Sequence, residues 1–171
     1  MATKAAPAKV VRTIEAARHH LNRAATPHAR GVLFDQAQVV AGAPAVLSNH
    51  GVAERVRIEE GSFFDAIPGG GDAYVLKNVI HDWPDDDAVR ILRNVRGAAG
   101  AGTKVLLVEL VIPPHDREFP GKWLDLEMLL LASARERTAP EYGQVLKRAG
   151  FQMTRVVETA SPFSIVEATA V

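Results

Sequence analysis

A histidine leaves an apolar run in Val75-Leu76-Lys77-Asn78-Val79-Ile80-His81-Asp82-Trp83-Pro84, and three aspartates, Asp85 to Asp87, follow it. The run reads as a buried strand opening into a polar loop, and the loop as the entry to a helix with an acidic first turn. In an open α/β sheet, ligands sit at the carboxyl ends of the strands, which puts His81 where chemistry is done. Imidazole titrates near neutrality, so His81 is the candidate to take a proton from a substrate. A surface histidine beside a helix start is the competing reading. Asp35 closes the short apolar strand from Gly31 to Phe34, and an acidic residue there commonly accepts hydrogen bonds from ribose hydroxyls, or simply forms a turn. Glu109 lies in the apolar run Thr103 to Leu110 and Glu136 in Arg135-Glu136-Arg137; each is also compatible with an ordinary solvated position. The aspartate triplet invites a metal, but consecutive helical residues point in different directions and cannot readily converge on one ion. Capping and the helix dipole account better for them, and no metal is expected.

The elements that must position these groups alternate along the chain. Strands are expected over Gly31 to Phe34, Arg55 to Glu59, Asp72 to Val79 and Thr103 to Leu110. Helices are expected over Gln38 to Asn49, with Gly51 as its C-cap, over Asp85 to Ala99, and over Ala139 to Ala149, closed by Gly150. Gly121 to Ala132 carries an apolar helical face with Trp123, Leu124, Leu126 and Met128. The chain then ends in Phe151 to Glu158 and Phe163 to Ala168, joined by a link short enough for an antiparallel hairpin. Residues 1 to 8, rich in Ala, Lys and Pro, are expected to be disordered, and Thr13 to Ala25 to be helical before Thr26-Pro27. Trp83, Trp123 and Met128 are candidates to line a substrate pocket, although apolar residues at such spacings also make plain core.

Composition excludes several classes. A chain of 171 residues, 47% hydrophobic and 23% charged, suits one domain with a sizeable core. Lys plus Arg and Asp plus Glu number 20 each, so no net field favours nucleic acid or an anionic membrane. The absence of cysteine removes disulfides, thiolate nucleophiles and thiolate-bound metals. No apolar run approaches the about 20 residues a bilayer requires, and Met1 to Val11 lacks the apolar core of a secretory signal, so a cytoplasmic location is expected.

Five motifs in order, Gly31-Val32-Leu33-Phe34-Asp35, Gly61-Ser62-Phe63-Phe64-Asp65, Leu76-Lys77-Asn78-Val79-Ile80-His81-Asp82-Trp83, Val108-Glu109 and Arg135-Glu136-Arg137-Thr138, resemble the S-adenosylmethionine-dependent O-methyltransferases of small molecules, in particular the aromatic-polyketide and caffeate-type family. The resemblance runs from about Gly31 to the C-terminus. It implies an α/β fold with a Rossmann-like class I methyltransferase sheet and a terminal antiparallel hairpin. It also implies methyl transfer from S-adenosylmethionine to an aromatic hydroxyl. On this resemblance His81 is the general base and Glu109 and Glu136 orient it, while Asp35 holds the adenosyl ribose. Ser62 and Phe63 match the element that contacts adenine, with Ser in place of the usual Asp, and Lys77 matches a lysine near the cofactor. Asn78 joins Trp83, Trp123 and Met128 as pocket positions.

Two parts of the family pattern are expected to be missing. The glycine-rich turn after the first strand should fall near Val10 to Ala16, a stretch without glycine. The family's N-terminal helical domain, which dimerises and closes the substrate pocket, has no counterpart here. Residues 1–29 are therefore expected to be an atypical leader, partly disordered or helical, before a catalytic domain at 30–171. The sheet is expected to lack its usual first strand, unless Lys9 to Ile14 substitutes for it. A truncated enzyme with weak cofactor binding is the leading expectation, and a non-catalytic remnant or accessory subunit the alternative. A nicotinamide-binding domain is disfavoured because no G-x-G-x-x-G follows a strand.

Overall fold

A computed structural model of the chain describes residues 9–12, 29–114, 118–119, 121–123, 125 and 135–171. The elements in the first half are β1 (Lys9–Arg12), β2 (Arg30–Asp35), α1 (Ala37–Val40), α2 (Ala43–Asn49), β3 (Val56–Glu60), β4 (Ala73–Lys77) and α3 (Asp85–Ala98). The second half adds β5 (Lys104–Glu109), β6 (Val111–Ile112), β7 (Arg137–Thr138), α4 (Ala139–Arg148), β8 (Phe151–Glu158) and β9 (Ser164–Ala170). Among the described residues the main sheet has seven strands in the order β3-β2-β1-β4-β5-β9-β8, and β6 pairs with β7 in a small parallel ladder. The expected terminal hairpin is present: β9 runs antiparallel between β5 and β8.

The expectation of a sheet without its first strand is corrected by β1. Its backbone runs parallel to β2 on one side, with Val11 opposite Val32, and to β4 on the other, with Val11 opposite Tyr74. The β-branched pair Val10-Val11 suits a strand, and the two neighbours supply the ladder bonds that a gap would have orphaned. The expected disorder at 1–8 and helix at 13–25 lie outside the described residues, as does most of the expected glycine-turn position.

Alternation along the strands divides the core. Val32, Phe34, Tyr74, Leu76 and Leu107 face α3 and α4, where Ile91, Leu92, Val95, Val145 and Leu146 complete one cluster. Leu33 faces the other way, onto Val40, Ala43, Leu47 and Val52. The single helix expected over Gln38 to Asn49 is two short ones. Pro44, at the start of α2, has no N–H for a continuing helix and its ring would collide with the Val40 carbonyl. Gly51, at φ +63°, closes α2 as expected, donating to the Ser48 carbonyl at 2.9 Å. Strand β4 ends earlier than its apolar run suggests, because Asn78 adopts φ +51° and turns the chain into a single 3-10 turn at Ile80–Asp82. That turn carries His81.

Candidate active site

The carboxyl ends of β1, β2 and β4 open at the point where the strand order reverses, between β1 and β4, the position at which open α/β sheets receive ligands. Asp35 ends β2 there, half-buried, with its Oδ1 accepting the Gln36 N–H at 2.8 Å. The following strand, β3, leads to Gly61, whose N–H returns to the Asp35 carbonyl at 3.0 Å. A Cβ at position 61 would lie 2.7 Å from the Phe34 ring, so any other residue there would have to displace that buried ring. Ser62 takes up the turn role, its Oγ accepting the Phe64 N–H at 3.1 Å. The Phe63 backbone is fixed by Asn94, which donates to its carbonyl at 2.8 Å.

Trp83 joins this wall. Its ring stands edge-on to Phe64 at 4.6 Å and to Phe63 at 6.1 Å between centroids, so the structure groups it with these two rings. Trp123 is 77% exposed on helical backbone at Gly121–Trp123. Met128 lies outside the described residues. Lys77 places its Nζ 5.5 Å from the Phe163 ring centroid, and Asn78 is half-buried at the turn, its N–H donating to the Val108 carbonyl at 3.2 Å.

His81, Glu109 and Glu136 converge, and the two glutamates act on different parts of the loop. Glu136 Oε1 lies 2.9 Å from His81 Nδ1, and its side chain is fully buried. Glu109, at the end of β5 and also fully buried, accepts the Val79 and Ile80 N–H groups at 3.2 and 3.0 Å through Oε1, and so fixes the backbone that carries His81. A second oxygen on each, Glu109 Oε2 and Glu136 Oε2, is buried without a hydrogen-bond partner among the described residues.

The electrostatics follow from this geometry. Burial pulls the His81 imidazole down, but the hydrogen bond to Glu136 and the charges of Glu109, Glu136 and Asp82 outweigh it and leave the pKa above its ordinary value. Burial pushes the Glu109 carboxyl up to about 7, against the pull of His81 and of the two amides. An Nδ1–H donated to Glu136 leaves the Nε2 lone pair for a proton; Asp82 Oδ1 lies 3.3 Å from that nitrogen on the exposed side. The pair can accept a proton from a weak acid and hold the resulting imidazolium.

Several partners were not evident from sequence. Arg137 is fully buried and binds Asp85, whose Oδ1 it meets at 3.0 Å (Nε) and 2.8 Å (Nη2). Asp125 Oδ1 accepts the Glu136 N–H at 2.7 Å. The expected capping role of the aspartates is corrected: Pro84 occupies the N-cap of α3 without a side-chain bond, while Asp85 pairs with Arg137 and Asp86 with Arg148. The dipole argument for their place in the first turn stands. Among the described residues, no group of three or more His, Cys, Asp or Glu side chains could hold a metal ion, and no helix is long and apolar enough to cross a membrane.

This arrangement has close counterparts. The phenazine O-methyltransferase PhzM of Lysobacter antibioticus is 48% identical over 142 residues, which cover 83% of this chain and 42% of that protein. The O-demethylpuromycin-O-methyltransferase of Streptomyces alboniger is 41% identical over 152 residues, covering 86% and 40%. The crystal structure of LaPhzM superposes with a TM-score of 0.88 at 43% identity, over 99% of this chain and 52% of its own. NcsB1, solved with S-adenosylmethionine and 2-hydroxy-5-methyl naphthoic acid, gives 0.85 at 32% identity, over 99% and 51%. The chain thus spans about half the length of these solved relatives, and less of the curated ones. A model of the O-methyltransferase domain matches residues 16–152, a stretch that takes in Asp35, His81, Glu109 and Glu136 together, and on that match the chain belongs to the O-methyltransferase domain family.

Proposed function

We propose that this chain carries the cofactor wall and the proton acceptor of an S-adenosylmethionine-dependent O-methyltransferase acting on an aromatic hydroxyl of a small molecule. The observation that supports it most is the buried contact between His81 Nδ1 and Glu136 at the carboxyl edge of the sheet. NcsB1, of the same fold, was solved with this cofactor and a hydroxylated naphthoic acid.

The described wall fits the cofactor on its ribose and base side. Asp35, held by the Gln36 amide, presents a carboxylate for ribose hydroxyls, and Phe63 offers an apolar face to the base beside Ser62. Lys77 and Asn78 line the adjoining end of β4. When bound, S-adenosylmethionine supplies an electrophilic methyl group. A phenol with a pKa near about 10 is a poor nucleophile while protonated, so the residues must remove its proton as the methyl is transferred. His81 Nε2 takes that proton, Glu136 stabilises the imidazolium through Nδ1, and Glu109 keeps the 79–80 backbone from shifting.

The second reading, a methyltransferase-like remnant or accessory subunit, is favoured by one feature. Residues 10–16, where the family's turn places its glycines, contain none.

Calorimetric titration of the chain with S-adenosylhomocysteine, the product, separates the two. Binding that weakens in Asp35→Ala, with phenol methylation that falls by about 10²–10⁴-fold in His81→Ala, is expected for the enzyme. A folded chain that binds no S-adenosylhomocysteine would favour the remnant.

A further inference from the structure

Three consecutive residues of one segment grip the turn that bears His81. The Arg135 N–H donates to the His81 carbonyl at 3.0 Å, Glu136 meets the His81 ring, and Arg137 binds the backbone on both sides of it. Arg137 Nη1 donates to the Ile80 carbonyl at 2.9 Å and to the Arg135 carbonyl at 3.4 Å, and Nη2 donates to the Trp83 carbonyl at 2.8 Å. Its Nε and Nη2 also engage Asp85, at the first residue of α3. One planar guanidinium thus ties the residue before His81 and the residue after Asp82 to the helix that follows them.

We propose that Arg137 is a positioning residue for the proposed base, a lock that sets the 80–83 turn so that the His81 ring meets Glu136. Two features distinguish it from a space-filling core residue. Arg137 is fully buried, and a guanidinium is retained out of water only where charge and hydrogen bonds compensate it. Here its donors are directed to the ends of the His81 turn, and its planar fork serves three carbonyls and a carboxylate at once, which a lysine cannot do. Tyr142, whose ring lies 6.0 Å from the guanidinium carbon, covers the remaining face. The proposal rests on the reading of His81 as the base, but the positioning itself is measurable without turnover.

The test is an NMR titration of the His81 imidazole in the full chain, its signal assigned among the six histidines with His81→Gln. The groups that face the ring are Glu136, Glu109 and Asp82. Deleting the Arg137 charge alone would raise the His81 midpoint, because a nearby cation disfavours imidazolium. Loss of positioning has the opposite sign, because the ring leaves Glu136. Arg137→Met is therefore expected to lower the midpoint toward that of an exposed histidine, and Arg137→Lys to recover part of the difference. A folded Arg137→Met with an unchanged or raised midpoint overturns the proposal. Should Arg137→Met fail to fold, Arg137→Lys decides, because it keeps the charge and removes the fork: a midpoint below that of the parent supports the lock, and an unchanged or raised one overturns it. Methyl transfer measured in parallel keeps the two ideas apart. A parent chain without turnover but with a lowered midpoint in Arg137→Met refutes the enzyme reading and leaves the lock intact. Turnover lost in Arg137→Met with the His81 titration unmoved refutes the lock.

Discussion

Glu109 shows how a single buried carboxylate can set the pH response of the molecule. Its folded-state pKa, pushed up to about 7, stands above the ordinary carboxylate value of 4.5, because burial penalises the anion more than two amides and His81 favour it. A raised carboxylate means that the native state holds this proton more tightly than the unfolded chain. Its contribution to stability is therefore fully present below about 4.5 and is lost as pH rises through about 7, a change on the order of 3 kcal/mol. His81, also raised, adds a loss of the same sign, present below its unfolded value and lost as pH passes its folded one. Glu109→Gln keeps an oxygen to accept the Val79 and Ile80 amides but removes the titration. The parent is expected to lose Tm between pH 5 and pH 8, and the variant to lose distinctly less. Equal losses in both would mean that Glu109 is not the titrating group. At this scale the sequence was readable where a motif marked the residue: His81, Glu109 and Glu136 do converge. Arg137 was not readable, because arginine is ordinarily exposed and no periodicity flags one that turns inward to bind carbonyls.

The element that carries Arg137, with Glu136 just before it, is the short strand β7 running directly into α4. The junction is fixed by Glu141, whose Oε2 accepts both the Thr138 N–H and its Oγ1–H at 2.8 Å, while Oε1 pairs with Arg135. Burial raises the Glu141 pKa, but these hydrogen bonds and the charges of Arg135 and Arg137 overcome it and hold the carboxyl below its ordinary value. Thr138→Ala removes the hydroxyl partner at the N-cap and is expected to cost about 1 kcal/mol. Glu141→Gln, which can still reach back to the Thr138 N–H, should cost less. Urea unfolding checks this: the midpoint should fall further in Thr138→Ala, with an unchanged slope in both variants. The reverse order would place the anchor in the Glu141 charge. Most such elements were visible from local pattern, and the bounds of β8 match those expected. Two breaks were not. Pro44 divides a stretch whose apolar spacing continues through it, and Asn78 turns the chain while Val79 still reads as strand. Long-range partners, the Glu109 carboxylate above all, make that turn, and a local pattern does not contain them.

At the scale of the whole molecule, the sheet depends on a strand that sequence alone left doubtful. Four residues, Lys9–Arg12, lie between β2 and β4, and the strand order reverses beside them, where open α/β sheets receive ligands. Strand order is a matter of pairing between distant segments, and the missing glycines argued against a strand at this position. The backbone pairings on both sides nevertheless put β1 at the centre. A proline at Val11 tests whether this short strand carries the sheet in solution. It removes a ladder N–H and adds a ring that a central strand does not accommodate, and the orphaned carbonyl alone costs about 1–3 kcal/mol. At roughly 2–4 °C per kcal/mol for a chain of this size, Val11→Pro should lower Tm by at least about 2 °C. S-adenosylhomocysteine binding gives the same variant a second reading. If the cleft at the β1–β4 reversal is the cofactor site, affinity should fall in Val11→Pro even at temperatures where the chain is still folded. An unchanged melt would mean that β2 and β4 hold their places without β1, and an unchanged affinity that the cofactor is held by the β2 and β3 wall alone.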